Sequence, residues 1–377
     1  MTKSRRYSKK RLTVTFDRGP AKYFHGRKQV LHNFRELARH SVEVEGGTIF
    51  LIQGAPGVGK SALLYECEKM AQDSGWEITE IDPPGLWDPD QLLRYLGKKG
   101  GLIVKNVLGE VGFQAGVKLD AEVERFHLTT LDILKHGKKP LLLILDEAQM
   151  LGTTSKPLGG RAEIASIVLK AIHNGTLNRP VILLAAGLNE TRAAFGKLGI
   201  SRFSQQYMIE LGALNRNSER AIIQDWIIKE GRAKGDITEW IDAIAQETHG
   251  WPQHIQAYVK PASDQLKANS GIMTLERLDV ALEAGREGRK GYYKQRTDDF
   301  RGDQLHCLAR CIPKSPREKP AGYRDIMSSL KKEYDKIEAQ ELFSDFEKKG
   351  ILEKSGMGYA VPIPSMHTWL KDTYDPE

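Results

Sequence analysis

Residues 48–53 (TIFLIQ) form a short, almost wholly apolar run rich in β-branched and aromatic side chains, and the next eight residues are Gly54, Ala55, Pro56, Gly57, Val58, Gly59, Lys60 and Ser61. A helical pattern follows at once, over residues 61–73. This succession constrains the fold more than any other stretch of the chain. A buried strand that feeds a G-x-x-x-x-G-K-[ST] loop into a helix places both elements in an α/β layer. The glycines let the loop wrap tightly, so that successive backbone N–H groups point inward, and the helix opening near Lys60 adds the positive end of its dipole. In such a loop the lysine ammonium neutralises β- and γ-phosphate oxygens and the serine hydroxyl ligates Mg²⁺. A chance match in a glycine-containing turn is the alternative, and the flanking strand and helix argue against it.

A phosphate cradle of this kind needs a carboxylate near the metal and a base near the attacking water. Residues 141–145 (LLLIL) read as a buried strand and end in Asp146 and Glu147. Asp146 is the expected Mg²⁺ partner and Glu147 the residue expected to polarise water for in-line attack. A strand merely meeting solvent would also end in acids. Further strands are expected at 75–81 (GWEITEI), 181–186 (VILLAA) and 207–211, with helices at 27–40, 88–98, 120–135, 217–230, 239–247 and 274–289. Strands apolar on both faces and alternating with helices predict a parallel sheet covered on both sides. From residue 299 three helical patterns (299–311, 323–334, 339–349) precede two short strands, 351–355 and 359–363, around Gly356, Met357 and Gly358. Three helices and a hairpin are the outline of a winged helix-turn-helix.

At 377 residues the chain exceeds what a single growing core serves, so two or three domains are expected. No run approaches the length of a membrane span, and the N-terminus lacks the apolar stretch of a secretory signal, which predicts a cytoplasmic protein with no membrane partner. The three cysteines exclude a disulfide framework. Cys307 and Cys311 beside His306 suggest a metal site only weakly, since a structural zinc needs four ligands, and core packing is the favoured reading. The net charge of +7 is uneven: through Lys28 there are ten Lys or Arg against the single acid Asp17. Any nucleic-acid footprint therefore points to the N-terminal arm.

These motifs resemble the AAA+ ATPases of the origin-recognition and STAND-related kind. The resemblance spans residues 23–260 and rests on FHGR ending at Arg27, GAPGVGKS ending at Ser61, LLLILDEAQ ending at Gln149, and GWP ending at Pro252. It implies a three-layer P-loop NTPase core with a parallel sheet ordered 5-1-4-3-2 and a helical lid, with ATP and Mg²⁺ held between core and lid. The expected segments are an arm (1–22), an ATPase core (23–213), a lid (214–295) and a winged-helix-like domain (296–377). Carried over by position, Gly26 and Arg27 resemble the segment beside the adenine, and the nucleotide-contacting set runs from Gly54 through Ala62, with Pro252 from the lid. Asn189 stands where a polar sensor would meet the γ-phosphate, although it would equally cap the helix that begins there. Arg202 resembles an arginine finger offered to a neighbouring subunit, with a surface ion pair as the alternative. The lid departs from the pattern: Gln253 and His254 stand where related proteins carry arginine. Slow hydrolysis, a timer more than a motor, is the expectation.

An ATPase switch of this type is expected to assemble with copies of itself and to act on a partner. Association with DNA through the basic arm and the winged helix is one reading, opposed by the acids of the last helical pattern (EAQELFSDFEKKG). A signalling switch whose winged helix binds protein or holds the chain inactive is the other. A small-molecule kinase would need an acceptor pocket and usually a compact single domain. The absence of an N-K-x-D motif favours adenine over guanine.

Overall fold

The computed structural model describes residues 20–82, 137–152, 160–316 and 318–376, together with positions 95, 131, 132, 134 and 135. Almost all of the basic arm, and most of the helices expected at 88–98 and 120–135, fall outside the described residues. Five strands, β1 (Gly47–Gly54), β2 (Glu77–Ile81), β3 (Leu141–Leu145), β4 (Val181–Gly187) and β5 (Met208–Leu211), pair in parallel in the order β2-β3-β4-β1-β5. Read from the β5 edge, this is the expected order 5-1-4-3-2.

The two-residue period of a strand explains why the sheet is covered twice. Phe50, Ile52, Leu142, Ile144, Ile182 and Leu184 turn to one face, where α1 (Lys28–Glu43) and α2 (Lys60–Asp73) bring Phe34, Leu37, Leu63 and Leu64. Ile49, Leu51, Leu141, Leu143 and Leu183 turn to the other, against Ile164, Val168, Leu169 and Ile172 of α3 (Gly160–His173). With no polar face left, the central strands are stable only inside such a three-layer arrangement. The register sets Gln53 opposite Gly187 and Leu145 opposite Ala185, so the C-terminal ends of β1, β4 and β3 lie side by side. A short helix, α4 (Thr191–Lys197), follows β4.

The lid is a helical layer with its own core, which includes Ile223, Trp240, Ile244, Ile255 and Tyr258. It consists of α5 (Arg216–Asp225), prolonged by a π turn over Trp226–Glu230, then α6 (Thr238–Thr248), α7 (Pro252–Ala268) and α8 (Leu275–Thr297). Asn215 caps α5 by accepting from Ser218 N at 2.9 Å, and Pro252 opens α7, where its missing N–H is harmless. α8 is longer than its sequence pattern indicated and runs unbroken through the expected lid boundary at 295.

The C-terminal segment forms α9 (Gly302–Cys311), α10 (Tyr323–Leu330), α11 (Lys336–Lys348), an antiparallel hairpin of β6 (Glu353–Ser355) and β7 (Gly358–Ala360), and a last helix α12 (Pro364–Tyr374). The strands are shorter than the runs expected for them, and α12 was not expected at all. Leu305, Leu308, Ile326, Phe343 and Phe346 join the apolar cluster that covers the α1 and α2 face of the sheet, so this segment packs on the core. Cys67 and Cys307 are buried. Among the described residues no helix is long and apolar enough to cross a membrane.

Leu183, fully buried in β4, reports on the doubly covered sheet. Leu183→Ala should lower the unfolding free energy in urea by about 2–5 kcal/mol. A loss below about 1 kcal/mol would mean that this strand is not packed on both sides.

Candidate functional site

The glycine-rich loop leaves β1 at Gly54 and turns into α2 at Lys60. Gly57 (φ 74°) and Gly59 (φ 94°) adopt left-handed conformations that an L side chain rarely takes, which is why the loop needs glycine there. Gly59 precedes α2 without any side-chain cap, so the first amides of that helix are not claimed by a capping side chain. Lys60 Nζ donates to Gly54 O at 2.7 Å and to Ala55 O at 3.0 Å. Burial lowers its pKa, opposed by the nearby charges of Glu147, Asp146 and Glu353 and reinforced by Arg296.

Ser61 Oγ donates to Asp146 Oδ2 at 3.0 Å, which joins the loop after β1 to the acids after β3 across the intervening β4. Asp146 Oδ1 accepts from Glu147 N at 2.9 Å. Glu147 itself is exposed, with a left-handed backbone (φ 52°). Gln149 fixes the Glu147 carboxylate: its Nε2 donates to Glu147 Oε2 at 2.5 Å, while its Oε1 accepts from Leu188 N at 3.0 Å. A Cβ on Gly187 would collide with Gln149 Oε1 and Thr191 Oγ1, so the glycine that ends β4 makes room for this bridge. Gln149 belonged to a recognised motif, yet its bridging position was not anticipated.

On the other side of the loop, Gly26 (φ 87°) and Arg27 (φ 56°) carry the chain between core and lid. Arg27 Nη2 donates to Gly212 O at 2.5 Å and reaches Val58 O at 3.4 Å, and burial lowers its pKa. A hollow there is lined by Phe24, Arg27, Val58, Ala62, Pro252 and Ile255 among others, a largely apolar slot beside the start of α2. Gln253 N donates to Gly57 O at 3.1 Å and thereby ties the lid directly to the loop. The lid turn is braced by the buried carboxylate of Glu219, which accepts from Thr248 Oγ1 at 2.5 Å and from Gly250 N. Neither lid residue at the arginine positions offers a charge: the Gln253 side chain is exposed, and His254 is buried with its pKa pushed down to about 3 by burial and by Arg289. His254 Nε2 pairs instead with Tyr293 Oη at 3.2 Å.

Asn189 does not cap α4, whose N-cap is Glu190 with no side-chain capping bond. Its Nδ2 donates to Glu353 Oε2, on β6 of the C-terminal segment, at 2.5 Å. That segment touches the loop too, since a Cβ on Gly350 would stand 3.0 Å from Pro56 Cγ. Tyr293 Oη donates to Ser365 Oγ at 2.7 Å, a second tie between lid and C-terminal segment. Burial first, then Glu190 and Glu210, push the Glu353 carboxyl up to about 7, against the pull of Lys60 and Asn189. Arg202 lies exposed in the stretch before β5. The site thus gathers Lys60, Ser61, Asp146, Glu147 and Asn189 at adjoining strand ends, with Gly26, Arg27 and Pro252 around the neighbouring slot. Arg202 stands apart on the surface. Gln53 Oε1, Asn189 Oδ1, Glu190 Oε2, Trp251 Nε1 and Tyr292 Oη are buried with no hydrogen-bond partner among the described residues, polar capacity that a phosphorylated, hydrated ligand can use.

No family model and no curated protein matches the chain. Among solved structures it is similar to the Walker-type ATPase PABY2304 of Pyrococcus abyssi, at 14% identity over 94% of this chain and 99% of that one with a TM-score of 0.53. It is also similar to the Aeropyrum pernix ORC2 protein in its ADPNP–ADP complexes, at 14% identity over 94% of this chain and 95% of that one with a TM-score of 0.52. The ADP form of that protein matches 90% of this chain and 92% of its own at 14% identity, with a TM-score of 0.53. The chain therefore has the α/β P-loop fold of these structures.

Glu353 makes the packing of the C-terminal segment sensitive to pH. Between its ordinary value of 4.5 and about 7 the folded protein holds a proton that the unfolded chain has released, so stability falls as pH rises through that window. Glu353→Gln should flatten the dependence of the urea midpoint on pH between those values and raise the midpoint above pH 7. An unchanged pH profile would show that the carboxyl is not held in this setting.

Proposed function

We propose that the chain is an ATP-dependent switch that binds Mg·ATP between core and lid, hydrolyses it to ADP and phosphate, and couples the nucleotide state to self-assembly and to association with DNA. The observation that carries this reading is the 3.0 Å hydrogen bond from Ser61 Oγ to Asp146 Oδ2, because it brings a hydroxyl and a carboxylate together beside the glycine loop and Lys60. Mg²⁺ commonly uses such a pair and completes its shell with phosphate oxygens and water. Among the described residues no group of three His, Cys, Asp or Glu side chains is placed to hold a metal ion. Ser61 and Asp146 would hold the ion, and its chemistry is to neutralise charge on the phosphates.

The remaining roles follow from position. Lys60 would exchange its carbonyl partners for phosphate oxygens, and the amides from Gly54 to Ala62 would surround the β-phosphate. Glu147, aimed by Gln149, would accept the proton of the attacking water. Asn189 would meet the γ-phosphate or the water once released from Glu353. Adenine is favoured by the apolar slot and by the adenine nucleotides in the solved ORC2 structures. Arg202, exposed and with no ion pair among the described residues, would serve a neighbouring copy as a finger that makes turnover depend on assembly. For DNA the arm is the better contact, since α11 carries Glu338, Glu341, Asp345 and Glu347.

One observation favours a second reading, in which the C-terminal segment holds the switch inactive and binds a protein when released. Glu353 occupies Asn189, and Gly350 abuts Pro56, so the segment is seated on the nucleotide site itself. DNA binding separates the two. If the arm grips phosphates, duplex affinity falls steeply with salt and deletion of residues 1–20 reduces the slope; a protein switch has no such slope.

Mutants separate the site roles. Lys60→Ala should abolish measurable binding of a fluorescent ATP analogue, whereas Glu147→Gln should retain binding and lose turnover by roughly a hundredfold or more. Normal phosphate release from Glu147→Gln would remove the base assignment. Arg202→Ala should slow turnover only at concentrations where the wild type assembles. Equal slowing in dilute monomer would refute the finger.

A further inference from the structure

Residues 21–25, ahead of α1, are clasped to the lid at its π turn. Tyr23 Oη donates to Glu230 Oε1 at 2.8 Å, Lys22 Nζ pairs with Glu230 Oε2 at 2.7 Å, and His25 Nε2 pairs with Asp225 Oδ2 at 2.8 Å. Rings and ammonium groups interleave beside these bonds. Tyr23 stands edge-on to Trp226 with centroids 5.8 Å apart, Lys22 Nζ lies 5.4 Å from the centre of the Trp226 ring, and Lys229 Nζ lies 4.9 Å from that of Tyr23. The π turn is what lets one short segment meet both acids. In a regular α-helix, residues five apart point about 140° away from each other. The wider turn, closed by Gly231 N donating to Trp226 O at 2.9 Å, brings Asp225 and Glu230 to one side.

The same segment is a wall of the slot beside the glycine loop. Tyr23, Phe24 and His25 line that slot together with Gly59 of the loop and Pro252 of the lid. From the clasp the chain reaches α1 through Gly26 (φ 87°), where a Cβ would stand 2.7 Å from Ser218 Oγ, so the turn is pressed close to α5. Arg27 then fixes this end to the core through Gly212 O and Val58 O. The other end is held by groups that solvent still reaches, since Lys22 is exposed and His25 partly so. Ion pairs of that kind are individually weak, so the clasp can open while the core and the lid stay folded. We infer that residues 21–25 are a latch, which closes the slot over bound nucleotide while clasped on Asp225 and Glu230 and whose release from the lid sets the rate of nucleotide exchange. This inference rests on the proposed ATP reading and adds the step that controls entry and exit. Opening leaves the glycine loop, Lys60 and the Ser61–Asp146 pair in place. A gate of this sort changes both rates alike, because the same opening precedes arrival and departure.

The test follows a fluorescent ADP analogue, with Mg²⁺, as it binds to and is displaced from the full-length protein in stopped flow, in the wild type, Tyr23→Phe, Glu230→Ala and Lys267→Ala. Glu230→Ala, which frees both Lys22 and Tyr23, should raise the dissociation and association rates together by roughly tenfold, with affinity changing by less than about threefold. Tyr23→Phe, which keeps the ring and loses one hydrogen bond, should raise both rates by roughly threefold. Lys267 pairs with Glu230 at 3.4 Å from within the lid, so Lys267→Ala should leave both rates as in the wild type. Unchanged rates in Tyr23→Phe and Glu230→Ala would overturn the latch, as would faster dissociation alone, the mark of a lost contact to the nucleotide. Equal acceleration by Lys267→Ala would overturn it too, since a loosened lid would then suffice. Should Glu230→Ala not fold, Tyr23→Phe decides by the same pair of rates. A wild type that takes up no nucleotide would refute the ATP reading itself, a result distinct from uptake at rates the variants do not change.

Discussion

A polyanion can be held by a protein only where several fixed donors and a cation converge before it arrives, and here that convergence depends on one sheet order. β1 delivers the glycine loop, β3 delivers Asp146 and Glu147, and β4 lies between them, so that Ser61 and Asp146 meet at 3.0 Å. A sheet with β3 elsewhere would leave the same motifs in the sequence without a common site. The apolar side chains on both faces of β1, β3 and β4 keep those three strands at the centre, and the chemistry at their ends inherits its geometry from that burial.

Around this centre, contacts from three directions reach one loop. Gln253 N holds Gly57 O from the lid, Gly350 lies close to Pro56 from the C-terminal segment, and Arg27 braces Val58 from the segment ahead of α1. Each contact is small, yet all three end on residues of the glycine loop. A shift of the loop would therefore be felt in the lid and in the C-terminal segment together, through backbone hydrogen bonds and packing. The Tyr293 hydroxyl, between His254 and Ser365, couples lid and C-terminal segment a second time.

The sequence was most legible where function is written in consecutive residues. The glycine loop and the strand ending in Asp146 carry their geometry locally, so both were found and found nearly to the residue; the order of the strands came from family resemblance, since periodicity does not number neighbours. Helices opening with proline were harder. Pro252 and Pro364 look like breakers, although at the first helical position they start α7 and α12. α3 was passed over despite Ile164, Val168 and Ile172 at helical spacing, because it follows a stretch without clear periodicity. Least legible were side chains whose partners are distant: Gln149 reaching Leu188, and Glu353 reaching Asn189 across 164 positions. In sequence each is an ordinary polar residue, and only tertiary packing gives it a neighbour.

The central claim is that amides, an ammonium group and a serine–aspartate pair together capture a magnesium-bound triphosphate. Calorimetric titration of Mg·ATP into the folded, full-length wild-type protein, repeated with excess chelator, tests it most directly. The account predicts uptake of one nucleotide per chain that weakens markedly when the metal is withdrawn. Absence of any binding heat at several temperatures, from protein whose circular dichroism confirms its fold, would contradict it.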